Sequence, residues 1–167
     1  MLKPVLNLGQ VEASGLIDYL YNIFNRDFVQ RQSMLGGKMW VDPRCEKKEL
    51  GKEQTFWHLI TRGKDDRFPD YRRAERLEWV RQLIESPHDP CVKFFYHKES
   101  NPKQDIRLYL WAEADDFVVI IQRLGKSKAF LVTSFYVDQS AKREDYRKRF
   151  SYYASGSDVA LTSHTWF

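Results

Sequence analysis

The sequence predicts an α+β fold in which N-terminal helices pack on a four-stranded antiparallel sheet, with a C-terminal helix closing the chain. Three observations predict it. Apolar residues recur at helical spacing over residues 11–31 and 70–86. From residue 92 the period switches, and four segments rich in aromatic and branched side chains follow one another. The breaks between them, at 101–103, 114–116 and 124–127, are long enough for hairpins and too short for crossovers. The 167 residues, 43% of them apolar, suit one domain, 1–167, with a core over about 11–153.

Leu16, Leu20, Phe24 and Phe28 stand four apart, widened by Ile17 and Ile23, while Asp18, Asn22, Arg26 and Asp27 face away. This is the pattern of a core helix rather than of a membrane or partner face. Gly36-Gly37 breaks the chain, and Lys38-Met39-Trp40-Val41 reads as a short strand before the turn signal Asp42-Pro43. Residues 44–53 alternate Lys47, Lys48 and Lys52 with Glu46, Glu49 and Glu53, as expected of a solvated loop or frayed helix. In Thr55-Phe56-Trp57-His58-Leu59-Ile60-Thr61-Arg62, the apolar residues seat a helical turn in a core. His58 and Arg62 then lie four residues apart on one side of it.

For the second helix, Pro69 fits the first turn, Asp66 or Asp70 the cap, Leu77, Val80 and Ile84 the buried stripe, and Pro87 the stop. Arg72, Arg73, Arg76 and Arg81, beside Tyr71 and Trp79, form either a phosphate-binding ridge or ion pairs with Glu75, Glu78 and Glu85. The strands are expected at 92–98, 106–112, 117–123 and 129–137, the third apolar on both faces and therefore central. Lys142, Arg143, Arg147, Lys148 and Arg149 surround Tyr146, Phe150 and Tyr153. Such a helix either lies along a nucleic-acid backbone or packs on the sheet with a solvated outer face. From Ser155-Gly156-Ser157 onward the chain reads as a loosely attached end, unless Trp166-Phe167 tucks back.

The net charge of +4 and a pI near 9.0 describe a mildly basic surface that permits a nucleic-acid partner. Cys45 and Cys91 lack the spacing of metal ligands and read as reduced thiols. No segment approaches about 18 consecutive apolar residues, and the N-terminus lacks a signal-peptide run, so a cytoplasmic protein with no membrane partner is expected. Without DxD, HExxH, a Cys-rich cluster or a Gly-rich phosphate loop, neither metal nor cofactor is expected.

An imidazole transfers protons near neutral pH and a guanidinium grips phosphate through two parallel hydrogen bonds, so His58 beside Arg62 suits a phosphodiester. A lone His among aromatics also has an ordinary structural reading. The runs Phe56–Arg62, Arg73–Val80, Tyr109-Leu110-Trp111 and Phe130–Val137, in that order, resemble phage-associated nuclease-like proteins. These belong to the superfamily that groups barnase, EndoU, colicin nucleases and RelE. The resemblance implies a metal-independent endoribonuclease, often a toxin against translation, that cleaves RNA through its 2′-hydroxyl to a 2′,3′-cyclic phosphate. It implies His58, Arg62, Thr133 and Tyr136 as the catalytic set and Arg73, Arg76, Arg123 and Tyr153 on the substrate. The partners it implies are RNA, as tRNA or in the ribosome, and a protein inhibitor. The chain departs from EndoU-like sites in offering one well-placed His, with His97 and His88 as the other candidates. Strand alternation puts Thr133 and Tyr136 on opposite faces unless a bulge intervenes. The alternative is a non-catalytic RNA- or protein-binding module with His58 structural, and exposure of His58 in a cleft separates the two readings.

Overall fold

The apolar stripe at the N-terminus folds as α1, Leu16–Phe24, which continues into a π-helical turn over Asn25–Val29. The extra residue per turn lets Asp27 and Phe28 both face inward. Asp27 is met there by Arg26, whose Nε and terminal nitrogen donate to its two carboxylate oxygens at 2.7 and 2.8 Å. The structure, a computed structural model, describes residues 1–63, 68–163 and 166–167.

The sheet departs from the sequence expectation. It has six strands and is mixed, not four-stranded and antiparallel. The strands β5 (Lys93–Lys98), β6 (Ile106–Ala112), β7 (Phe117–Leu124) and β8 (Lys128–Tyr136) pair antiparallel in chain order. To the outer edge of β8 are added β2 (Met39–Asp42), running parallel to it, and β1 (Ser33–Leu35), antiparallel to β2. The order is therefore β1-β2-β8-β7-β6-β5. An edge strand as long as β8 leaves a row of unpaired backbone groups, and β2 covers part of that row while burying Met39 and Val41. Residues 44–53 also differ from expectation: Lys48–Glu49 (β3) and Lys52–Glu53 (β4) form a hairpin. Its turn residues Leu50 and Gly51 have φ of 50° and 75°, the conformation of a tight two-residue hairpin turn.

The helix predicted over 70–86 is two helices, α3 (Tyr71–Ala74) and α4 (Leu77–Glu85), broken at Arg76. Asp70 caps α3 by accepting from the Arg73 amide at 3.2 Å, whereas Asp66 lies outside the described residues. Register assigns the faces of the sheet. Phe117, Val119 and Ile121 join the core beneath α1, α4 and the short helix α2 (Gln54–Ile60). Val118 and Ile120 point the other way, with Phe95, Tyr109 and Trp111, toward α5 (Ser140–Ala154). The basic C-terminal helix is thus a sheet-packing helix, with Tyr146 only 1% exposed. The chain end is docked, not loose: Trp166 is buried against the Tyr96 ring at 5.1 Å. At Gly36, where φ is +53°, a Cβ would meet Phe167 at 2.9 Å. Among the described residues no helix is long and apolar enough to cross a membrane.

Phe117 is fully buried with Trp79 edge-on at 5.7 Å, so Phe117→Ala is expected to destabilise the fold by about 3–5 kcal/mol in chemical denaturation. Tyr152 is 51% exposed, and Tyr152→Ala is expected to stay within about 0.5 kcal/mol of the parent. Equal losses would contradict this placement of the core.

Candidate functional site

Helix α2 is held by its buried stripe. Phe56, Leu59 and Ile60 are fully buried, and the Phe56 ring lies against Tyr21 and Phe24 at 5.3 and 5.6 Å. The Trp57 indole donates to the Glu49 carbonyl at 2.8 Å, tying the helix to the β3–β4 hairpin. What remains outward is the stripe of Gln54 and His58, and His58 is exposed. It opens into a cleft of about 480 Å³ whose opposite wall is Phe130, Leu131 and Val132 of β8. Asp42 at the end of β2, Arg44, Glu46 and Lys47 of the segment after it, and Lys128 of β8 complete the lining.

The cleft exists because β2 stops early. It pairs with β8 only from Trp40↔Lys128 to Asp42↔Phe130, and beyond that point α2 and α3 flank the strand instead. The change of neighbour leaves a step, and His58 stands on its helical side.

Arg62 is not beside His58. The helix ends at Thr61, whose φ and ψ of −117° and 161° are extended, and Thr61 bridges to Pro69. Arg62 is thereby turned toward Asp70 and Asp138, pairing with the latter at 2.7 Å. Asp138 and Asp70 raise the Arg62 pKa through hydrogen bonds, and Arg62 in turn holds the Asp138 carboxyl below its ordinary value. Arg73 is spent on the backbone: it donates to the Thr61 carbonyl at 2.9 Å and more weakly to that of His58 at 3.4 Å. Burial lowers the Arg73 pKa. Arg76 folds back on Glu75 and donates to the Arg72 carbonyl at 2.9 Å. The Tyr136 ring sits under Arg72 and Arg76, at 4.8 and 4.9 Å. Arg62, Arg73 and Tyr136 share a second recess of about 200 Å³ with Asp138 and Lys142.

Thr133 and Tyr136 point to opposite faces, since Thr133 pairs with Ile120 and Tyr136 with Phe117. The bulge in β8 falls at Val132, before both of them, and leaves their alternation intact. Thr133 follows directly on Val132, the last strand residue lining the His58 cleft. Two of the sequence candidates lie elsewhere. Arg123 donates to the carbonyls of Gly125 and Lys126 in the β7–β8 turn, at 3.0 and 3.1 Å. Tyr153 is wedged between Phe94 and Tyr96 of β5, three strands from β8 and so roughly 14 Å away across the sheet.

Neither His97 nor His88 lines the cleft. His97 is on β5 against Tyr109, its pKa lowered by burial, and His88 lies edge-on to Phe94 and tilted against Phe167. The cleft instead brings carboxylates to His58. Asp42 is engaged, accepting from the Arg44 amide at 2.7 Å and lying 3.6 Å from the Lys128 ammonium. Glu46 is exposed in the same cleft. Sequence reasoning missed Asp42, Arg44, Glu46, Lys47, Phe130 and Lys128 as a group. Only the Asp42-Pro43 turn signal marked the place. Among the described residues, no cluster of three or more His, Cys, Asp or Glu side chains is arranged to hold a metal ion. Comparison with known protein families, curated proteins and solved structures finds no match to this chain.

The arginines separate in stability measurements. Arg73→Ala leaves carbonyls of the last turn of α2 without their donor and is expected to lose about 1–3 kcal/mol. Arg62→Ala removes the two ion pairs of an exposed side chain and should lose no more than about 1 kcal/mol. Because the Asp138 pKa is depressed in the fold, its contribution is full above the ordinary value of 3.8 and disappears as pH falls through the lower folded value. Thermal melts should therefore show Asp138→Asn less stable than the parent at neutral pH, with the gap closing in acid.

Proposed function

We propose that this protein is a metal-independent endoribonuclease that uses the His58 cleft. The observation that carries the reading is an exposed imidazole on a helix fixed by burial, facing a cleft with three cationic side chains and an exposed carboxylate. RNA supplies its own nucleophile. A base takes the proton of the 2′-hydroxyl, the oxygen attacks phosphorus, and an acid protonates the 5′-oxygen as its bond to phosphorus breaks. The products are a 2′,3′-cyclic phosphate and a free 5′-hydroxyl. His58 takes one of these proton transfers and Glu46, an exposed carboxylate lining the same cleft, the other. Lys47 and Lys128 meet the charge that grows on the phosphorane. Thr133 follows the cleft wall along the strand, on the Ile120 side of the sheet, and keeps only from the resemblance the role of hydroxyl donor to a nonbridging oxygen. Arg73 and Tyr136, assigned to the substrate and to catalysis by resemblance, line the second recess instead and keep at most supporting roles.

The ion pairs of Arg62 and Arg76 and the opposite facing of Thr133 and Tyr136 favour a second reading, in which the same cleft binds RNA without cutting it. Activity decides between them. Purified protein incubated with tRNA and with ribosomes, in the presence of a chelator, is expected to yield fragments ending in 2′,3′-cyclic phosphate. His58→Ala should lose on the order of 10²- to 10⁴-fold in rate with its melting temperature little changed. Glu46→Gln should remove one limb of the pH–rate profile. A folded His58→Ala protein that cleaves at the parent rate would take His58 out of the mechanism. A parent that binds these RNAs without cleaving them would establish the second reading.

A further inference from the structure

The sheet face opposite α1, α2 and α4 is covered by α5 only in part. Toward β2 the side chains of Trp40, Asp42, Lys128 and Phe130 share that face by register, and Trp40 and Phe130 belong to neither buried cluster. Two clefts meet there, one of about 480 Å³ holding His58 and one of about 670 Å³ holding Trp40, with Asp42, Glu46 and Lys128 lining both.

Arg44 is the unusual residue of this surface. Its φ is +54°, a conformation that L residues other than Gly adopt at a cost. The backbone is held there by the Asp42 carboxylate, which accepts the Arg44 amide at 2.7 Å. The result lays the guanidinium over the Phe130 ring, with its central carbon 3.6 Å from the ring centroid. Arg44 is nevertheless exposed, and its guanidinium is in no ion pair among the described residues. An arginine whose inner face is stacked and whose outer face meets solvent has lost much of its rotamer freedom without losing its binding surface.

We infer that Arg44, stacked on Phe130, is a shelf for one unpaired nucleobase beside His58, so that the RNA bound here is single-stranded. This rests on the RNA-directed reading of the His58 cleft. A guanidinium plane takes a base on its face as an aromatic ring does, and any base fits because every base has a π-face. In a duplex those faces are covered by neighbouring pairs, and a cleft of small-ligand size admits a single nucleotide and no double helix. Lys128 and Lys47, which line the same cleft, meet the backbone phosphates of the strand that carries the stacked base.

The test reads binding with chemistry switched off. A 2′-fluoro RNA oligomer of about ten nucleotides lacks the attacking hydroxyl and is titrated by fluorescence anisotropy, alone and annealed to its complement. The single strand should bind the parent at least tenfold more tightly than the duplex. Arg44→Lys keeps the charge and the backbone preference but not the plane, and should weaken the single strand about tenfold with an unchanged salt dependence. Phe130→Leu should weaken it by a similar factor, because the shelf loses its support. Equal affinity for both strand states, no binding of the single strand, or an Arg44→Lys variant equal to the parent would each overturn the assignment. If the parent binds as described yet cleaves no natural RNA, only the nuclease reading fails. If it cleaves RNA while Arg44→Lys binds normally, only the shelf fails.

Discussion

The site depends on the partial pairing of β8 with β2. Along its other side β8 is paired with β7 from end to end, apart from one bulge, but β2 accompanies it only as far as Phe130. Strand pairing satisfies backbone groups, while helices satisfy their own and meet a sheet through side chains alone. Where the neighbour changes from strand to helix, the surface must step. The step is where α2 presents His58 and where the chain leaving β2 turns through Asp42, Pro43 and Arg44.

Burial and charge divide the work at this step. The aromatic contacts of Phe56 and the Trp57 hydrogen bond fix the backbone of α2, so His58 is presented from a rigid base although its ring is exposed. The arginines of α3 and its flanks work mainly on the protein itself: Arg73 on the end of α2, Arg76 on Glu75 and Arg72, and Arg62 on Asp138. The cations left facing the cleft are those of the β2 exit and of β8, Arg44, Lys47 and Lys128. A basic composition thus says little about the location of a phosphate site until the ion pairs have been drawn.

The strands from residue 93 to 136 were legible because each hairpin is local and each segment is rich in aromatic and branched residues. The buried stripe of α2 was legible for the same reason, being set within a few residues, whereas the exposure of His58 was not, because it depends on where β8 and the β2 exit lie. The six-stranded mixed sheet was not legible, because the parallel pair joins Trp40 to Lys128 across most of the chain, and neither residue carries a local mark of the other. The helical spacing of His58 and Arg62 misled, since Thr61 leaves the helix to bridge Pro69 and redirects Arg62. Arg44 sat in a charged run that reads as solvent-facing; its placement follows from a positive φ and from Phe130 across that same long-range pair.

The claim that the step between β2 and α2 is the RNA-binding site is tested most directly by mapping amide chemical shifts as a non-cleavable single-stranded RNA is added. The account predicts that the perturbed residues cluster at His58, Arg44, Lys47, Lys128 and Phe130, while Arg123, His97 and Tyr153 stay unmoved. Shifts centred on the outer face of α5, or spread evenly over the basic surface, would contradict it.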